Sequence, residues 1–182
     1  VSTPDPEGVV DLPADAYVAL GANLGDRLAT LVAALDRLGR VAGVRVRTVS
    51  PVYEAEAHVL PGAPPQPPYL NAVARLTTTL GASTLLAAML DVERALGRTR
   101  NAGERWAARP LDLDLLIFGE AVLERPGLVV PHPRLAERRF VLQPLADLAP
   151  GLEVPGTGAT VADLLARCPD ASALVSTVHR LR

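Results

Sequence analysis

The order in which apolar residues change their spacing between Tyr17 and Phe118 constrains the fold more than any other feature of this chain. Residues 17–20 form a short apolar run ended by Gly21-Ala22-Asn23-Leu24-Gly25-Asp26. Leu28, Leu31, Val32, Leu35 and Leu38 then recur at the spacing of one helix face. Val44, Val46 and Thr48 alternate with Arg45, Arg47 and Val49, which predicts a second strand running on to about Tyr53. Residues 69–79 predict a third, with Leu70, Ala72, Ala74 and Leu76 on one side. Ser83, a good N-cap, opens a helix through Leu85, Leu86, Met89, Leu90, Val92, Glu93 and Leu96, and Gly97 ends it. Asp112 to Phe118 returns to a strand, closed by Gly119.

Strand, helix, strand, strand, helix, strand is the βαββαβ order of a ferredoxin-like α+β fold, an antiparallel sheet whose helices pack on one face. Residues 134–137, 141–148 and 161–167 read as extra C-terminal helical segments. A length of 182 residues and an apolar content of 49% suit one core, so residues 15–182 are expected to form a single domain. Residues 1–14, rich in Pro, Asp and Gly, are expected to be a flexible tail. Residues 58–68 carry six prolines or glycines and cannot continue a ladder, so they form a surface loop and a candidate substrate flap.

A net charge of -2 excludes a global attraction to nucleic acid or anionic lipid, and no apolar run is long enough to span a bilayer. Cys168 is the single cysteine and forms no internal disulfide, which leads to the expectation of a cytoplasmic protein; a monomer is expected as well. Any polyanion must therefore be held locally.

The segment from Arg105 to Phe118 is the densest in chemistry. Residues two apart on a strand share a face, so Asp112 and Asp114 set two carboxylates side by side at one end of an apolar element. Left unpaired they repel, and a divalent cation relieves that. Hard oxygen ligands favour Mg²⁺, which takes one or two carboxylates and completes its shell with water and substrate phosphates. Pairing with arginines is the plain alternative for a bare Asp-x-Asp. Arg94, Arg98, Arg100, Arg105 and Arg109 crowd the stretch just before, and a planar guanidinium grips phosphate oxygens bidentately. Carboxylates for metal next to an arginine-rich segment point to phosphoryl transfer, against a solvated salt-bridge network. No Walker A motif is present, and Gly21 to Gly25 reads as a strand-to-helix turn.

At these residues the sequence resembles the 6-hydroxymethyl-7,8-dihydropterin pyrophosphokinases of folate biosynthesis. The likeness spans residues 17–152 and rests on ordered blocks: residues 19–26, Ser50-Pro51-Val52-Tyr53, Tyr69-Leu70-Asn71-Ala72, Glu93 with Gly97-Arg98, residues 105–114, and Val130-Pro131-His132-Pro133 through Phe140. It implies transfer of the terminal diphosphate of ATP to a pterin hydroxymethyl group, with AMP released. Asp112 and Asp114 resemble the pair holding two Mg²⁺ ions, and Arg98 and Arg109 the arginines that assist transfer. Tyr69 and Phe140 resemble rings that sandwich the pterin, Asn71 the amide that reads its polar edge, and Trp106 a loop ring that closes over both substrates. Glu93, Arg100, His132 and Arg138 resemble ATP-contacting positions. Where the family often has Thr and Pro after Tyr53, this chain has Glu54-Ala55-Glu56-Ala57.

Two other classes remain open on the residues alone. A non-catalytic ferredoxin-like module would bind ATP without forming AMP. A sugar transferase using Asp-x-Asp would bind sugar nucleotide instead of ATP.

Overall fold

A computed structural model describes residues 9–57, 65–98 and 109–181. The chain runs β1 (Val9–Ala22), α1 (Arg27–Gly39), β2 (Val44–Val49), β3 (Pro51–Ala55), β4 (Tyr69–Leu80), α2 (Ala82–Ala95) and β5 (Asp112–Phe118). It continues through β6 (Leu123–Arg125), β7 (Leu128–Val130), a 3₁₀ turn (Leu135–Glu137), α3 (Arg139–Leu148), β8 (Glu153–Val154), β9 (Ala159–Thr160), α4 (Val161–Ala166) and β10 (Leu174–Arg180). It is a mixed helix and antiparallel sheet structure. The main sheet has the order β10-β3-β4-β1-β5, with β2 also pairing with β4.

The expected single strand from Val44 to Tyr53 is two, both antiparallel to β4. The break falls at Ser50, next to Pro51, which has no N–H for the ladder. Ser50 is 1% exposed and bridges the gap. Its N–H donates to the Val73 carbonyl at 2.9 Å. Its Oγ accepts the Val73 N–H at 3.0 Å and donates to the Pro51 carbonyl at 2.8 Å.

β1 begins at Val9, inside the stretch expected to be a tail, because Val9 pairs with Leu80. The register slips between Val9 and Ala14, around Pro13, before regular pairing resumes. Residues 1–8 lie outside the described residues.

α1 starts where the Asp26 side chain accepts the Ala29 N–H at 3.0 Å. It buries Leu31, Ala34, Leu35 and Leu38. Val32, expected on that face, is turned outward and 37% exposed. α2 is capped by Gly81 and not by Ser83, which lies inside the helix, and Gly97 at φ +88° ends the run as expected.

Leu31, Leu35, Leu85, Met89 and Val92 meet Val18, Leu20, Ala72, Ala74 and Leu76 on one sheet face. Small residues in the strands let both helices lie close. Tyr17, Val73 and Leu116 belong by alternation to the other face, and they are buried as well, under Val141, Leu142 and Leu145 of α3. Helices therefore cover both faces, a correction to the one-sided arrangement expected. α3 has a clear 3.6-residue pattern, and a face of β4 carrying Val73 needs such a cover.

Candidate active site

The C-terminal end of β1 and the first residues of β4 and β5 converge at one end of the sheet, along the edge made by these strand termini. Gly21 pairs with Asp112 on one side and Asn71 on the other, and Asn71 pairs with Tyr53. Tyr53, Asn71, Gly21 and Asp112 thus form one row across four strands, and Asp114, opposite Ala19, stands two residues farther along β5 on the same face. A Cβ built on Gly21 would stand 3.4 Å from Asn71 Oδ1, 3.6 Å from the Tyr69 ring and 3.9 Å from Asp112 Cβ. Glycine at this position keeps the floor between amide, ring and carboxylate open.

The two carboxylates share a face as the Asp-x-Asp spacing requires, and they are 29% and 31% exposed. α3 covers this face farther along the strand, at Leu116, and leaves the end bare. Asp112 Oδ1 accepts from Arg98 and, at 3.1 Å, from Arg109 Nη1. Asp114 Oδ2 accepts from Arg138 Nη1 at 3.0 Å, and His132 Nε2 lies 3.8 Å away. Among the described residues these bonds engage Oδ1 of Asp112 and Oδ2 of Asp114, so each carboxylate keeps a second oxygen for a hard cation. No cluster of three or more His, Cys, Asp and Glu side chains stands ready to hold a metal among the described residues. Two carboxylates at an open edge suit Mg²⁺, which leaves the rest of its shell to water and phosphate.

Glu93 is 1% exposed and braces this edge from behind: it accepts the Leu113 N–H at 2.8 Å and pairs with Arg98. Arg98 in turn bridges Glu93 and Asp112 and is 12% exposed. His132 Nδ1 accepts the Arg134 N–H at 3.1 Å, which puts the ring proton on Nε2, facing Asp114. Burial pushes the His132 pKa below the ordinary imidazole value against the pull of Asp114, so the ring is neutral near pH 7. Burial likewise raises Tyr69, against the nearby Arg109, and keeps its phenol protonated. The Arg138 guanidinium sits 5.8 Å from the centre of the Phe140 ring, which links that ring to Asp114 through one side chain.

Arg98, Arg109, Asp112, Asp114, Glu93, His132, Arg138, Tyr69, Asn71 and Phe140 are thus gathered around one sheet edge and the turn into α3. Arg100 and Trp106 lie outside the described residues, as do residues 58–64 of the proline-rich loop. Sequence reasoning missed Gly21, Asn23, Arg27 and Tyr53 as parts of the site's surroundings. Gly21, Asn23 and Tyr53 lie inside the blocks that carry the family resemblance, and that membership was the signal that could have marked them.

No helix among the described residues is long and apolar enough to cross a membrane. The sequence profile of the family described as 7,8-dihydro-6-hydroxymethylpterin-pyrophosphokinase (HPPK) matches residues 17–150. A 2-amino-4-hydroxy-6-hydroxymethyldihydropteridine pyrophosphokinase from Pseudomonas aeruginosa is 45% identical over 153 residues, 84% of this chain and 91% of that protein. The protein of the same name from Bacillus subtilis is 41% identical over 144 residues, 79% of this chain and 83% of the relative. Among solved structures, wild-type HPPK-DHPS of Plasmodium falciparum superposes with a TM-score of 0.65 at 13% identity, covering 86% of this chain. This chain spans only 43% of that longer protein, so the likeness concerns the fold of one part of it. By the profile and by its relatives, the chain belongs to the 7,8-dihydro-6-hydroxymethylpterin-pyrophosphokinase family.

Proposed function

We propose that Asp112 and Asp114 carry this family's reaction in this chain by holding two Mg²⁺ ions against the phosphates of ATP. The reaction is transfer of pyrophosphate from ATP to 6-hydroxymethyl-7,8-dihydropterin in folate biosynthesis. The observation that supports the assignment of residues is the row Asn71, Gly21, Asp112 across the sheet edge, with Asp114 next to it on the same face. When bound, the metal ions supply charge stabilisation to the phosphate oxygens.

The chain's own residues do the positioning. Arg98 and Arg109 already point at Asp112, so they are placed to turn from carboxylate to phosphate oxygens and to balance charge that develops during an in-line transfer to the hydroxymethyl oxygen. Arg138 and neutral His132 hold the nucleotide on the Asp114 side, and Arg100 is a further ATP contact by family resemblance. Glu93 serves ATP through Arg98, which it fixes. Tyr69 and Phe140 stack on the flat heterocycle, Asn71 reads its donors and acceptors with an amide that has both, and Trp106 closes over the substrates. The sheet order β3-β4-β1-β5 supports a ferredoxin-like plan for residues 15–118, and we read the enzyme as a cytoplasmic monomer.

The test is AMP release measured with and without the pterin and with and without Mg²⁺. AMP should appear only when both are present, and Asp112→Ala and Asp114→Ala should each lower the rate at least about a thousandfold, roughly 4 kcal/mol, with unchanged circular dichroism. Full turnover in both variants, or AMP release without the pterin, defeats the assignment.

A further inference from the structure

Asn23 stands in the turn between β1 and α1 and is 1% exposed, and its side-chain amide is engaged at both ends. Its Oδ1 accepts the Arg109 N–H at 2.8 Å, while the Asn23 backbone N–H donates to the Arg109 carbonyl at 3.4 Å. The other end of the same amide, Nδ2, donates to Gln66 Oε1 and to the Pro67 carbonyl, both at 3.3 Å. These partners force the orientation, because a backbone N–H only donates and a carbonyl only accepts. One side chain therefore fastens two remote pieces of chain to each other: Gln66 and Pro67, which lead directly into Tyr69, and Arg109, which leads into Asp112. Arg27, at the start of α1, adds a parallel tie, donating to the Pro68 carbonyl at 2.7 Å and pairing with Glu54 at 2.8 Å.

We propose that Asn23 is a positioning residue that couples the two halves of the site, holding the pterin-side approach to Tyr69 through Nδ2 and the phosphate-side Arg109 through Oδ1. The inference rests on the functional reading given above. An amide is the only ordinary side chain of this size with a donor and an acceptor at opposite corners, so the two duties can be separated chemically. Asn23→Asp keeps an acceptor for the Arg109 N–H, removes both donations to Gln66 and Pro67, and sets a carboxylate oxygen against a carbonyl. Asn23→Ala removes both duties.

The experiment measures pterin affinity by titration of the free protein, and separately the single-turnover rate of the complex saturated with ATP and pterin. Asn23→Asp should weaken pterin binding about tenfold and leave the saturated rate within about twofold of the parent. Asn23→Ala should weaken pterin binding as much and also slow the saturated rate about tenfold or more. Gln66→Ala, which leaves the buried amide in place, should weaken pterin binding two- to threefold and guards against a variant of Asn23 that fails to fold. Unchanged pterin affinity in Asn23→Asp and Gln66→Ala, or equal saturated rates in Asn23→Asp and Asn23→Ala, overturns the coupling. The parent protein in the same assays reports on the underlying reading, because absence of pterin-dependent AMP there defeats that reading and not the division of labour in the amide.

Discussion

At the scale of single residues, the site depends as much on what Gly21 lacks as on what its neighbours carry. Its missing Cβ would stand at ordinary contact distance from Asn71 Oδ1 and the Tyr69 ring, so alanine fits the free protein but fills space between the groups proposed to hold the pterin. Gly21→Ala should fold as well as the parent and raise the KM for pterin a fewfold. Gly21→Val, whose γ carbons reach farther, should raise it about tenfold or more with little change in the KM for ATP. Steady-state kinetics with each substrate varied checks this, and an equal rise in both constants would show that the row is a structural seam only. The carboxylates, arginines and rings around this glycine were legible in the sequence because they are unusual: two acids at strand spacing, a crowd of arginines, six aromatic side chains in the whole chain. Gly21 and Asn23 were not, because glycine and asparagine are also what any strand-to-helix turn prefers. Their work lies in contacts with residues about 40 to 90 positions away, which no local pattern carries.

At the scale of elements, α3 is held to the sheet edge by more than apolar packing. Tyr53 of β3 donates its hydroxyl to Asp147 Oδ2 at 2.7 Å, and Gln143 donates to the other oxygen of Asp147 at 3.2 Å. Burial, and then the bond to Asp147, push the Tyr53 pKa up to about 12, well above the ordinary phenol value. The folded state thus holds the phenol proton more tightly than the unfolded chain does. The stabilisation is complete below about pH 10 and lost as pH rises toward 12. Tyr53→Phe should cost about 1 kcal/mol near neutral pH, and the gap between parent and variant should close between about pH 10 and 12. Urea unfolding at the two ends of that window measures it, and Tyr17 and Tyr69, common to both proteins, cancel in the difference. A gap that stays constant with pH refutes the link. The α3 helix itself was visible in its apolar spacing, and so were α1, α2, β4 and β5. The split of β2 from β3 was not, since Ser50 and Pro51 interrupt a run whose alternation continues on either side. β10 escaped notice because most of its side chains face solvent and leave no half-buried alternation to read.

At the scale of the whole molecule, the sheet is completed by residues beyond the span matched by the family profile, which ends at residue 150. β10 follows α4 in the chain and pairs with β3, with Leu174, Val175 and Ser176 opposite Ala55, Glu54 and Tyr53. Thr177 donates to the Val52 carbonyl at 2.9 Å, and Leu181 is buried in the main core. The register then slips between Ser176 and Arg180, so the outermost edge of the sheet is irregular and ends in basic residues, features that discourage further pairing. Without β10 the edge would be β3, whose backbone groups would face solvent next to the row that carries Asn71. Deleting residues 174–182 removes one strand pairing and the buried Leu181, a loss of about 3 kcal/mol or more. The shortened protein should show a lower urea midpoint, concentration-dependent association in light scattering, and weaker binding of pterin than of ATP, because β3 and β4 bear on the Tyr69 and Asn71 side while Asp114, His132 and Arg138 stand across the sheet. An unchanged midpoint with no association would mean that β10 merely lies along an edge that is already stable. Equal losses for both ligands would mean that the sheet loosens as a unit, and not from the β3 side inward.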